Sequence, residues 1–80
     1  MDGNEIVELV WEFYQSYVRS TKKRPTTVAF GHNEIRELQI YFSQNYDYAY
    51  KLKELCEEKK FMGMKVEELE KETYIEVKGE

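Results

Sequence analysis

Four cations fall close together in this sequence: Arg19, Lys22, Lys23 and Arg24. Such a cluster suits contact with a phosphate or an acidic partner surface, with the Thr21 hydroxyl and loop amides as further donors. No glycine-rich cradle accompanies it. The same charges also suit the negative end of a preceding helix. Gly31-His32-Asn33 forms a second candidate, because free amides at a strand-to-helix junction can bind anions. One glycine falls far short of a phosphate-binding fingerprint, and a tight turn explains Gly31 equally well. Cys56 and His32 could form a nucleophile–base pair. Cys56, however, falls on the apolar face of its predicted helix, where a small buried thiol is expected. One His and one Cys make no zinc set, so neither a metal nor a cofactor is expected. Four tyrosines, Tyr41, Tyr46, Tyr48 and Tyr50, surround one predicted helix break. They offer rigid amphipathic contact area or stacking platforms for bases, and Tyr46, Tyr48 and Tyr50 are the candidate aromatic contacts. A chain this small is also expected to have little room for a typical ~300 Å³ ligand pocket, so an enzyme is not expected.

Composition narrows the classes further. Eighty residues make a single small domain (1–80), with flexible ends expected at 1–3 and 79–80. The net charge of −4 argues against broad non-specific binding of nucleic acid. A single cysteine excludes an internal disulfide, which points to a reducing, cytoplasmic setting. The start of the chain has no basic, signal-like segment.

The elements that must position these residues read as follows. Positions 4–20 form a helix with an unusually wide apolar arc. Ile6, Val7, Leu9, Val10, Trp11, Phe13, Tyr14, Tyr17 and Val18 fall on one side, and Glu5, Glu8, Glu12, Gln15, Ser16 and Arg19 on the other. The arc covers about 200° against the ~100° stripe that docks on one core. Asp2 and Glu5 have capping-box spacing, with Asn4 the alternative cap. Two glutamates interrupt the apolar run, so it does not read as a membrane span. Its acidic polar face also disfavours surface binding to a membrane.

A strand at 26–30 follows Pro25. A helix at 34–44 starts from Asn33 as its cap. A segment at 48–59, capped by Asp47, is read as helix, although Tyr50 and Leu52 could also alternate in a strand. Positions 61–66 form one strand with Met62, Met64 and Val66 on a common face, and 73–78 a second with Thr73, Ile75 and Val77 inward. The two should make a terminal hairpin around the charged stretch 67–72. The order α-β-α-α-β-β implies an α+β fold, a small three-stranded antiparallel sheet with the helices packed on one face.

Two stretches carry a family resemblance. Pro25-Thr26-Thr27-Val28-Ala29-Phe30-Gly31, followed by a helix with Glu34 and Leu38, is one. Phe61-Met62-Gly63-Met64-Lys65-Val66, followed by Thr73-Tyr74-Ile75-Glu76-Val77, is the other. Together they resemble small proteins carried by bacteriophages and prophages. The resemblance implies a phage or bacterial source and an α+β fold, and it carries no catalytic residue across.

These observations point to a non-enzymatic protein-interaction module that self-associates or takes a protein partner. Val7, Trp11, Tyr14 and Val18 lie toward one edge of the arc and are the interface candidates, with Trp11 as anchor. The competing reading is a nucleic-acid binder using the 19–24 cations and the tyrosines. A third is an acidic inhibitor of a host protein.

Overall fold

The computed structural model describes residues 1–79; position 80, part of the end expected to be flexible, lies outside them. Helix α1 spans Gly3–Thr21, one residue beyond expectation at each end. Asp2, not Asn4, is its cap. The Asp2 carboxylate accepts from the Glu5 amide at 2.9 Å, and the Glu5 carboxylate accepts from the Asp2 amide at 3.4 Å. This reciprocal box satisfies amides that the first helical turn leaves unpaired. The helix stops where Lys22 turns left-handed, at φ 61°, and its amide bonds back to the Val18 carbonyl.

Strand β1 (Thr27–Phe30) leads into α2 (His32–Gln44), a 3-10 turn at Tyr46–Tyr48, and α3 (Ala49–Lys53). The last turn of that helix, Glu54–Glu58, widens to π geometry and ends at left-handed Lys59. The segment 48–59 is thus helical, and the strand alternative falls away. Asp47 is not its cap: Asn45 caps the preceding 3-10 turn, its side chain accepting from the Asp47 amide at 3.1 Å, and α3 starts after Tyr48 with no side-chain cap. Strands β2 (Lys60–Phe61), β3 (Met64–Glu68) and β4 (Ile75–Lys78) complete a four-stranded sheet in the order β2-β3-β1-β4.

The α+β class and the helices on one sheet face are as expected, but the sheet differs in three ways. It has four strands, because the predicted strand 61–66 is broken at Met62 and Gly63, with φ of 52° and 79°. Two consecutive left-handed residues make the primed turn that joins a tight hairpin. Met62 therefore leaves the face it was expected to share with Met64 and Val66. The predicted hairpin between the last two segments does not form, because β1 lies between β3 and β4. Finally, the sheet is mixed. β1 runs antiparallel to β4 but parallel to β3, and parallel neighbours need the long helical crossover that α2 and α3 supply. Thr73, expected on the inner face, lies in the connection to β4 instead.

The core lies between the sheet's inner face and the helices. Val28 and Phe30 from β1 meet Ile6 and Val10 of α1, Leu38 and Phe42 of α2, and Met64 of β3, all buried. Phe61 anchors the hairpin to this core, edge-on to Phe30 at 5.6 Å and stacked on Phe42 at 6.2 Å. The other sheet face carries Lys65, Glu67, Glu76 and Lys78 in alternation with the inward residues. Its charges pair across β1, with Lys78 Nζ 3.4 Å from Glu67 Oε1. No helix among the described residues is long and apolar enough to cross a membrane.

Candidate interaction surface

The strand-to-helix corner that resembled an anion site is closed by the protein itself. The cap of α2 is Gly31, two residues before the expected Asn33. The His32 amide donates to the Lys71 carbonyl and the Asn33 amide to the Glu72 carbonyl, both at 2.8 Å. The Gly31 amide donates to the Tyr74 carbonyl at 2.9 Å. The connection between β3 and β4 thus occupies the helix N-terminus that an anion would need. Glu34, only 3% exposed, completes the knot by accepting from the Tyr74 amide at 2.8 Å. Gly31 is required here by crowding. A Cβ at this position would lie 2.8 Å from the Lys71 carbonyl oxygen and 2.9 Å from the Tyr74 nitrogen.

His32 and Cys56 do not form a catalytic pair. His32 Nδ1 lies 2.6 Å from Glu68 Oε2, and Nε2 lies 4.0 Å from a Glu70 oxygen. The thiol of Cys56, half-buried rather than fully buried, accepts from Gln39 Nε2 at 3.4 Å. Neither partner of His32 was visible in the sequence, because Glu68 is brought to it by the parallel β1–β3 pairing. An open furrow of about 710 Å³ runs between α2 and α3, lined by Arg36, Gln39, Ile40, Leu52, Lys53 and Cys56. It is larger than a chain of this size was expected to hold.

The two halves of the nucleic-acid reading lie at opposite ends of α1. Arg19, Lys22, Lys23 and Arg24 are exposed at its C-terminal end. Thr21 spends its hydroxyl on the Tyr17 and Lys23 carbonyls. The tyrosines gather at the other end. Tyr41 bonds Asn4 at 3.4 Å and packs on Tyr48, with ring centroids 5.6 Å apart. The Tyr41 phenol is pushed above its ordinary pKa, first by its hydrogen bond with Tyr48 and then by desolvation. At about 1.5 Å per helical residue, roughly 25 Å separates the cations from the rings. Tyr46 and Tyr50 are exposed, and Lys51 Nζ lies 5.6 Å from the Tyr50 ring centre. Tyr48 instead closes the core beside Phe42.

The wide arc of α1 behaves differently. Ile6 and Val10 face the core and are fully buried. On one flank Trp11 is 49% exposed and stacks on Tyr14, with centroids 5.8 Å apart. Trp11, Tyr14 and Val18 surround a shallow apolar depression bounded by Gln15 and Arg19. Val7 lines a different cavity, of about 130 Å³, with Tyr41, Phe42, Tyr48, Phe61 and Met62. Trp11, Tyr14 and Val18 thus share one depression, while Val7, one turn before Trp11 on the helix, lines the neighbouring cavity. On the opposite flank Phe13 is 38% exposed, beside Ser16, Tyr17 and Val77 of β4. The sequence reading assigned no role to that flank, although the width of the arc implied it.

No known protein family, curated protein or solved structure matches the chain.

Proposed function

We propose that this chain is a non-enzymatic protein-interaction module that assembles through α1, with a second copy of itself as the simplest partner. One observation carries this reading. The apolar arc of α1 extends past the core on both sides, leaving Trp11 half-exposed in an apolar strip with Tyr14 and Val18. Trp and Tyr in such a strip are the residue types that dominate binding energy at interfaces. The phage or prophage association rests on the sequence resemblance alone.

Light scattering after gel filtration tests self-association directly. Trp11→Ala should weaken assembly while leaving the fold near its original melting temperature. A loss of fold without a change in assembly would make Trp11 a core residue and remove the reading. Capture of a different protein on immobilised wild-type chain, lost with Trp11→Ala, would keep the module but replace the second copy by that partner.

A further inference from the structure

The sheet has two edges, and they are not equivalent. β2 is two residues long, flanked by left-handed Lys59 and the hairpin turn, and offers little to pair with. β4 is a regular strand whose outer side has no partner among the described residues. The bond from the Gly31 amide to the Tyr74 carbonyl, with the register Ala29↔Glu76 and Thr27↔Lys78, fixes which backbone groups face β1. Glu76 and Lys78 turn their backbone groups inward to β1, as Tyr74 does its carbonyl. By alternation, Ile75 and Val77 turn theirs outward. This edge is short and carries Glu76 and Lys78, but it has no proline, no bulge, and no charge on the inward-pointing Ile75 and Val77.

We propose that β4 is a self-association edge, on which a second copy pairs antiparallel about a two-fold axis passing through Val77. This rests on the reading that the protein self-associates, and it adds a self-contact at β4, beside the Phe13 flank of α1, to the one proposed at the Trp11 flank. Charge selects the partner and the register. Centring the axis on Val77 sets Glu76 directly opposite Lys78 of the second copy, twice by symmetry. That is a non-hydrogen-bonded pair, where side chains approach most closely. Centring it on Glu76 would oppose two glutamates, and centring it on Lys78 would oppose two lysines. Strand β4 is therefore self-complementary in one register and self-repelling in its neighbours.

The geometry of a two-fold axis adds apolar contact. An axis relating adjacent antiparallel strands stands perpendicular to the sheet, so both copies keep their helices on the same face. The α1 flank with Phe13, Ser16 and Tyr17 overhangs Val77 and would then meet its own copy. Four strand residues alone are too short for a stable contact, so this flank must contribute. A contact this short is expected to be weak for a specific dimer, with a dissociation constant on the order of micromolar.

The test uses charge reversal. Wild-type protein at on the order of 100 µM should scatter at twice 9.7 kDa or more. Glu76→Lys and Lys78→Glu should each weaken dimerisation by about tenfold or more, since two attractive pairs become repulsive. A one-to-one mixture of the two variants restores opposite charges at both pairs and should recover dimers as heterodimers. Circular dichroism of each variant alone checks that the fold is intact. Single variants that weaken but are not rescued by mixing would overturn the register. A wild-type dimer broken by Trp11→Ala and untouched by the charge changes would overturn the β4 edge and keep the module. A wild-type monomer that still captures a different protein would overturn self-association alone.

Discussion

The N-terminal corner of α2 and the outer flanks of α1 are opposites. At the corner, a loop threads past a helix end, and the amides of Gly31, His32 and Asn33 all find a carbonyl. Glu34, the only buried carboxylate among the described residues, is spent on an amide. On the flanks of α1 the polar groups are simple and solvated, while a tryptophan and a phenylalanine remain without cover. The corner has the motif-like residues and nothing left to bind with. The helix has ordinary residues and surface to spare. Spare binding capacity follows from unspent contacts, not from residue types that look chemical.

The largest test of this contrast is Gly31→Ala. If the corner is closed as tightly as its distances imply, the added methyl must displace backbone on two sides. A cost of about 2–3 kcal/mol and a fall in melting temperature of roughly 10–20 °C are expected. A variant as stable as wild type would show that the connection before β4 can move aside, and that the corner is open to a ligand after all.

Glu34 sharpens the same point. Glu34→Ala leaves the Tyr74 amide buried without an acceptor and should cost about 2 kcal/mol, whereas Glu34→Gln keeps a carbonyl oxygen in place and should cost much less. Equal losses in urea denaturation would mean that the negative charge, rather than the acceptor, matters. Trp11→Ala should then cost the isolated fold less than about 1 kcal/mol, as expected for a half-exposed side chain. A larger loss would erase the difference between the two regions.

How much of this was legible follows from the range of each interaction. The capping box of Asp2 and Glu5, the inward Ile75 and Val77, and the outward Glu76 and Lys78 all depend on residues within one turn or one strand, and they could be read directly. The width of the α1 arc was equally visible, and so was its excess over one core. The sheet order was not. Nothing local in Thr27–Phe30 indicates that it will insert between β3 and β4, because that pairing is decided by packing between distant segments. The Met62-Gly63 turn was hidden by a methionine in a position where glycine or asparagine would have signalled it. The partners of His32 depended on the same missed topology, which is why an isolated histidine turned out to have two carboxylates beside it.

The finest distinction between the regions lies in Tyr74, which belongs to both the corner and the start of β4. Its amide closes the corner, and its hydroxyl donates to Glu76 at 3.1 Å on the outer sheet face. That hydrogen bond, followed by desolvation, raises the phenol above its ordinary value of 10.0. Lys71 Nζ lies 4.5 Å over the ring. A raised folded value means the neutral phenol is favoured in the native state. The stabilisation is fully present below pH 10.0 and is lost as pH rises through the folded value. Tyr74→Phe has no proton to lose and should retain more of its neutral-pH stability on that limb than wild type. The residual decline should come from Tyr41, which is raised as well. Denaturation midpoints measured from pH 8 to beyond 11 would show the two curves separating only above about pH 10. Parallel curves would mean that the Tyr74–Glu76 bond does not persist in solution. The outer face of β4 would then have a free Glu76 carboxylate, a change that strengthens rather than weakens its capacity to meet Lys78 of a second copy.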